Sequence, residues 1–326
     1  MKAVICQEYG APELLLVGDL PIPEPAPEQV LIEVHASGAS YVDTLIIQNL
    51  HQVNHKLPFS PGREAAGIVQ ALGDGVSKFK VGDKVTALLD KGGHAEYALA
   101  SVSETFLCPD NCSYHAAGGH LSVYLTSFLA LRERAALLPG EKVLVLGAGG
   151  GTGLAAVDCA RFLGAEVIAA ASSDAKLNLA AERGAQHLVN YEQNDLEQAV
   201  KEVYPKGVDL IFDPVGGDLF EPASRCVDWN GRYMSVGFAG GEKIPQFAAN
   251  RLLIKNRAAL GFILMYYRVK RPDLLLKGAT DILDAFSNGS LNPYTDRIGT
   301  LNDLPLMLRE IMDRKMVGKA VVGIKT

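Results

Sequence analysis

Between Glu141 and Ser173 a buried strand, a glycine turn, a helix and a second strand follow one another without interruption, an order that few folds accommodate. Lys142-Val143-Leu144-Val145-Leu146 is a short apolar run rich in β-branched residues, as a strand covered on both faces requires. Gly147-Ala148-Gly149-Gly150-Gly151-Thr152, closed by Gly153, is turn chemistry. Leu154 to Leu163 reads as a helix with a small-residue face, ended by Gly164, and Val167-Ile168-Ala169-Ala170-Ala171 reads as the next strand. Glycines in that position permit a tight turn, close approach of the backbone to a pyrophosphate, and contact of helix with strand. The N–H groups at the helix start attract the anion. The common spacing G-x-G-x-x-G would place its third glycine on Thr152, whereas Gly147-x-x-Gly150-x-x-Gly153 fits with one more residue in the turn. The stretch therefore reads as a dinucleotide-binding βαβ unit with Gly150, Gly151, Thr152 and Gly153 around the pyrophosphate; a flexible glycine loop is the plainer alternative. No Lys-Ser or Lys-Thr follows the glycines, which argues against a P-loop.

The end of the second strand chooses between nicotinamide cofactors. An acidic residue about 20 positions beyond the glycines would bind a ribose 2′-hydroxyl and repel a 2′-phosphate. Ala171 holds that place, followed by Ser172, Ser173 and, a helical turn later, Lys176. Two hydroxyls and an ammonium receive a phosphate dianion through charge-assisted bonds, so the expected cofactor is NADPH. Asp174 lies past the strand end and charges the start of the next helix. Lys176 read alone is equally an ordinary solvated helix lysine.

Gly140-Glu141-x-x-Leu144 running into Ala148-Gly149-Gly150-Gly151-Thr152-Gly153 resembles the quinone oxidoreductase branch of the medium-chain dehydrogenase/reductase superfamily, the group that includes zeta-crystallin. Asp158 and Arg161 depart from that branch, where glutamine and lysine are common. The resemblance extends along the chain. Pro61-Gly62-Arg63-Glu64-x-x-Gly67, Gly73-Asp74-Gly75-Val76 and Val81-Gly82-Asp83-x-Val85 resemble the barrel-like GroES-like domain of the same superfamily, with glycine turns between short strands. Arg314-Lys315-Met316-Val317-Gly318-Lys319 resembles its closing strand. The resemblance implies an α/β chain: a GroES-like β-barrel catalytic domain over 1–122 and 264–326, and a Rossmann domain over 123–263 with a doubly wound, six-stranded parallel sheet.

Further strands are expected at His187–Tyr191, from Val208 to Asp213, within Gly231–Phe238 and from Ala258 to Met265, with helices over Ala175–Arg183, Asp273–Phe286 and Leu304–Met312. A doubly wound sheet binds its ligand beyond the carboxyl ends of its strands, where Val215, Gly237, Phe238 and Phe262 stand; packing in turns or core is the bland alternative. The resemblance adds Thr126 as a contact to the nicotinamide amide or an ordinary helix threonine, Tyr191 as a border of the 2′-phosphate, and Arg314 as an arginine that reaches that phosphate.

In the zinc-dependent alcohol dehydrogenases that this pattern resembles, a cysteine and a histidine hold the catalytic metal at the places of Ser40 and Arg63. A hydroxyl and a permanent cation replace neither, and no four-cysteine lobe is present, so no metal is expected. A hydride enzyme without a Lewis acid suits acceptors that delocalise charge, and the implied substrates are quinones and α,β-unsaturated carbonyls. A 2-enoyl or haloacrylate-type reductase and a non-catalytic, crystallin-like NADPH-binding protein are the alternatives. Ser40 and Tyr41, ahead of the Asp43 helix, are catalytic candidates. His51 stands where related enoyl reductases carry a tyrosine, and is a proton donor or a surface histidine. Leu45 and Ile47 replace a tyrosine and an arginine common in the bacterial enzymes.

Composition sets the remaining bounds. A chain of 326 residues, 48% apolar, buries two ordinary cores. A net charge of −6 argues against a nucleic-acid surface, and no run reaches the roughly 18 apolar residues of a membrane span. Five scattered cysteines and a start without a secretory pattern fit a reduced, cytoplasmic protein; Cys108 and Cys112 form the one close pair. The family resemblance implies a homodimer.

Overall fold

The computed structural model describes residues 1–241 and 243–325, which divide into two units. The first comprises Met1–Ser122, Ala279–Gly289 and Pro293–Thr326; the second comprises Val123–Gly278 and Ser290–Asn292.

In the first unit β1 (Lys2–Ile5) pairs antiparallel with β2 (Leu16–Asp19). The eleven-residue β3 (Gln29–Ala39) then enters the main sheet and leads into α1 (Tyr41–Ile47). Four short strands follow, β4 (Glu64–Leu72), β5 (Lys84–Leu88), β6 (Tyr97–Ser101) and β7 (Thr105–Leu107). Val30, Ile32 and Val34 face the core with Val69, Val85 and Ala98, as the alternation in the sequence demands. One edge of β3 carries β4, and the other is shared by β6 near Gln29–Glu33 and by the last strand of the chain near Ala36–Ala39.

The chain passes into the second unit along α2 (Tyr114–Leu129), which continues into a π-helical turn at Ala130–Arg134. There β8 (Lys142–Leu146), α3 (Gly151–Phe162), β9 (Glu166–Ala171), α4 (Asp174–Glu182), β10 (His187–Asn190), α5 (Leu196–Val203), β11 (Val208–Asp213), α6 (Phe220–Arg225), β12 (Val227–Ser235), α7 (Ala249–Lys255) and β13 (Ala258–Gly261) alternate. All six strands are parallel in the order β10-β9-β8-β11-β12-β13, a doubly wound sheet. Val143, Leu144, Val145 and Leu146 are fully buried, as a strand covered on both faces must be. The chain leaves through α8 (Leu264–Lys270) and α9 (Pro272–Asn288), and the first unit is completed by β14 (Thr295–Gly299), α10 (Leu304–Met312) and β15 (Lys319–Gly323). In its sheet the order is β14-β15-β3-β4-β5-β7.

Most boundaries fall within one or two residues of the sequence reading, and three differ by more. Helix α3 begins at Gly151 instead of Leu154, because a helix's first turn lacks intrahelical N–H bonds and so tolerates glycine. Strand β12 begins at Val227, four residues early, through an irregularity around Asn230, whose φ is 62°. Strand β13 stops at Gly261, and Leu264 and Met265 open α8.

Candidate nucleotide crevice and the buried polar cluster

The glycine turn leaves β8 in left-handed backbone at Gly147 (φ 60°) and crosses back over its own start: a Cβ on Gly153 would collide with the Gly147 carbonyl. Gly150 is the N-cap of α3, and no side chain caps that helix. The first N–H groups of α3, from Gly151 through Gly153, therefore point out of the helix start with no side-chain acceptor supplied by the cap, the arrangement that receives a phosphate. Ser127 Oγ donates to the Thr152 carbonyl at 3.0 Å, which fixes α2 against this turn and places Thr126 one residue away.

The neighbouring turn holds the residues expected at a 2′-phosphate. The stem of Lys176 lies across Gly149, where a Cβ would collide with it, and its ammonium donates to Ser172 Oγ at 3.2 Å. Ser173 is the N-cap of α4, but its hydroxyl makes no capping bond. Asp174 is turned to Asn190, whose amide donates to its carboxylate at 2.7 Å. Tyr191 follows β10 directly, its N–H bonded to the Ala171 carbonyl at 3.2 Å, so Ala171, Ser172 and Tyr191 sit together at the strand ends.

Asp213 organises the rest of the rim, although no motif announced it. Almost fully buried at the end of β11, its carboxylate accepts from the N–H groups of Val215 and Gly216 at 2.8 Å each and from Tyr233 Oη at 2.7 Å. Burial pushes its carboxyl above the usual range against these bonds. The loop so held places Val215 beside Gly147, and Gly240 donates to the Val215 carbonyl at 2.7 Å. Gly237 and Phe238 follow β12, with Phe238 exposed; Phe262 follows β13, buried against Tyr267.

The catalytic candidates lie in the first unit. Ser40 is the N-cap of α1, and its hydroxyl and its N–H both donate to Asp43 Oδ2, at 2.8 and 2.9 Å, while Asp43 N–H donates back to Ser40 Oγ at 3.4 Å. Asp43 is fully buried, and His94 Nε2 lies 3.7 Å from the same oxygen. Burial pushes the Asp43 carboxyl up, but His94, Ser40 and the Lys319 charge outweigh it and hold it below the usual range. His94 Nδ1 is 3.1 Å from Ser37 Oγ, which donates to the Glu64 carbonyl at 2.7 Å. Beneath them Lys319 pairs with Glu64 at 3.1 Å and donates to the Ala39 carbonyl at 2.8 Å, while Glu64 Oε2 accepts from Ser122 N–H at 2.8 Å.

Tyr41 stands beside Ser40, partly exposed, and His51 lies beyond α1, half-buried, with Nδ1 accepting from Val53 N–H. Burial and then the Arg63 charge hold the His51 imidazole below its ordinary pKa, which works against a standing proton on it at neutral pH. Arg314 belongs to this unit, in left-handed backbone (φ 58°) between α10 and β15. A zinc ion does not fit here: Ser40 spends its hydroxyl on Asp43, Arg63 is a permanent cation, and among the described residues no group of three His, Cys, Asp or Glu side chains is placed to hold a metal.

Known proteins share both units. A family model described as zinc-binding dehydrogenase matches residues 151–276, and one described as alcohol dehydrogenase GroES-like domain matches residues 26–126. The chain is 37% identical to quinone oxidoreductase-like protein 2 of Bos taurus over 99% of its own length and 93% of that protein's. The structure of Escherichia coli quinone oxidoreductase complexed with NADPH superposes with a TM-score of 0.91 at 25% identity, covering 99% of each chain. That of a 2-haloacrylate reductase gives 0.86 at 26% identity over the whole of both.

Proposed function

Since the chain belongs to the zinc-free quinone oxidoreductase branch of the medium-chain dehydrogenase/reductase superfamily, we propose that it reduces quinones or α,β-unsaturated carbonyls with NADPH. The observation that carries this reading is the pairing of Lys176 with Ser172 at the end of β9, beside an alanine where an NAD enzyme would need an acid. NADPH supplies the hydride when bound. The glycine turn and the start of α3 hold the pyrophosphate; Ser172, Ser173, Lys176 and Tyr191 take the 2′-phosphate; Thr126, Val215, Gly237, Phe238 and Phe262 border the remainder. Ser40 and Tyr41, with His51 beyond them, face the acceptor, and the first unit carries the catalytic role.

Without a metal, the chain's own groups must orient the acceptor and stabilise the charge that develops on its oxygen. A conjugated carbonyl makes this feasible because hydride adds at a carbon remote from the oxygen, and a quinone spreads the charge over its ring. Steady-state rates with NADPH and NADH on 1,4-benzoquinone, a short enone and 2-chloroacrylate test the assignment. Quinone or enone turnover with NADPH preferred is the expected result. Preference for NADH overturns the phosphate pocket, preference for haloacrylate moves the substrate class, and tight NADPH binding without turnover on any acceptor makes the protein a crystallin-like binder. The protein is proposed to act as a homodimer, formed through the open edge of β13.

A further inference from the structure

We propose that His94 and Asp43 form a proton relay behind Ser40, so that the Ser40 hydroxyl delivers the proton that accompanies hydride transfer; the inference rests on the reductase reading above. The Glu64 carbonyl can only accept, so the single hydroxyl proton of Ser37 is spent on it at 2.7 Å. Ser37 Oγ, 3.1 Å from His94 Nδ1, must then receive its second bond from that nitrogen, which fixes Nδ1 as the protonated one. Nε2 is left facing Asp43 Oδ2 at 3.7 Å, both side chains fully buried. Neither Nε2 nor Asp43 Oδ1 has a hydrogen-bond partner. A bare lone pair opposite a carboxylate repels it, and an unsatisfied polar atom out of reach of water is costly. One proton shared between Nε2 and the carboxyl turns the repulsion into a bond.

The carboxyl passes the line outward. Asp43 Oδ2 accepts from Ser40 Oγ at 2.8 Å, and Ser40 is only half-buried at the head of α1. The sequence His94 Nε2, Asp43 Oδ2, Ser40 Oγ therefore runs from the closed interior of the unit to a hydroxyl that can meet an acceptor. The 3.7 Å gap is longer than a hydrogen bond, and such contacts tighten when the reactive complex forms. Lys319, paired with Glu64, acts on Asp43 from β15, and Asp43 in turn acts on His51 alongside Arg63 and His55.

When hydride adds to a conjugated carbonyl, an electron pair arrives on the acceptor oxygen. The Ser40 hydroxyl turns from Asp43 toward the acceptor, and its O–H bond breaks as the new O–H bond forms there; Ser40 Oγ then takes the proton that Asp43 Oδ2 draws from His94 Nε2, which restores the Ser40 hydroxyl and leaves Asp43 ionised and His94 neutral. The pair regains a proton from solvent after product leaves. One hydride and one proton convert a quinone to its hydroquinone, so nothing else is consumed. Ser40 is the catalytic residue; Asp43 and His94 are positioning residues.

His94→Gln, Asp43→Asn, Ser40→Ala and Ser40→Thr, with the double variant Ser40→Ala/His94→Gln, test the relay, each checked for thermal melting and for NADPH binding by fluorescence. The first three should lower kcat about 100-fold and leave the KM for NADPH unchanged, the size of effect that lost acid–base assistance gives. Their kcat should lose the parent's decline at high pH and show a larger solvent deuterium effect, Ser40→Thr should retain activity, and the double variant should be no slower than either single. Ring-nitrogen NMR, independent of turnover, should find hydrogen on His94 Nδ1 and a second proton shared with Asp43 that Asp43→Asn removes. If His94→Gln does not fold, Asp43→Asn and the serine variants carry the same comparison. A folded His94→Gln or Asp43→Asn with the parent's pH profile, or losses that multiply in the double variant, overturns the relay alone. An unmodified protein that reduces no quinone or enone overturns the reductase reading itself.

Discussion

The proposed preference for NADPH turns on one side chain, Lys176. Its aliphatic stem is pinned over Gly149, and in the proposed pocket this would leave the ammonium placed for a phosphate with little freedom to lose on binding. A hydrogen bond to a charged group is worth about 1.5–3 kcal/mol, so Lys176→Ala should raise the KM for NADPH roughly 10- to 100-fold while leaving any NADH reaction unchanged. Ala171→Asp, beside Ser172, should reverse the preference by repelling the 2′-phosphate. Parallel NADPH and NADH titrations of both variants check these outcomes, and equal losses with the two cofactors would remove Lys176 from the pocket. The positions of Ala171, Ser172 and Lys176 at the end of β9 could be read from the chain because each lies at a fixed step from a strand end. Asp213 and His94 could not: their roles come from burial and from partners far along the chain, Tyr233 for the one and Asp43 for the other.

At the level of elements, α3 depends on the close approach of its first turn to β8. Gly153→Val should abolish NADPH binding and lower the melting temperature, since a side chain there meets the Gly147 carbonyl; calorimetry with and without NADPH separates the two effects. Helix α2 is tied to β14 by His120, which is buried with Nε2 2.9 Å from Thr295 Oγ1. Burial, reinforced by Lys319, pushes its pKa down to about 3. Below an unfolded value of about 6.5 the unfolded chain binds a proton that the folded one refuses, so this group's contribution to stability is lost as pH falls, by about 1.4 kcal/mol per pH unit. His120→Gln should flatten the pH dependence of urea unfolding between about 6.5 and 3. The period of these elements was more legible in the chain than their ends. Glycines that read as loop became the first turn of α3, and the early start of β12 depends on pairing with β11, which no local pattern records.

For the whole molecule, the exposed side chains of α7, Leu253 at 83% and Ile254 at 72%, and the lone tryptophan, Trp229 at 65%, are apolar area that a second copy along the β13 edge would cover. Sedimentation should give a dimer, and Ile254→Lys should shift it to monomer with red-shifted Trp229 emission; a monomer in the unmodified protein removes the dimer. No helix among the described residues is long and apolar enough to cross a membrane. The position of β15 governs how the molecule is made. It lies between β14 and β3, so the longest strand of the first unit waits for Ala320–Gly323 before one edge is filled at Ala36–Ala39. The second unit, Val123–Gly278 with Ser290–Asn292, is made before β15 and needs no such wait. During synthesis the nucleotide-binding half is therefore free to consolidate while its amino-terminal neighbour stays unfinished, and a ribosome that stalls short of Lys319 leaves β3 open to chaperones and proteases.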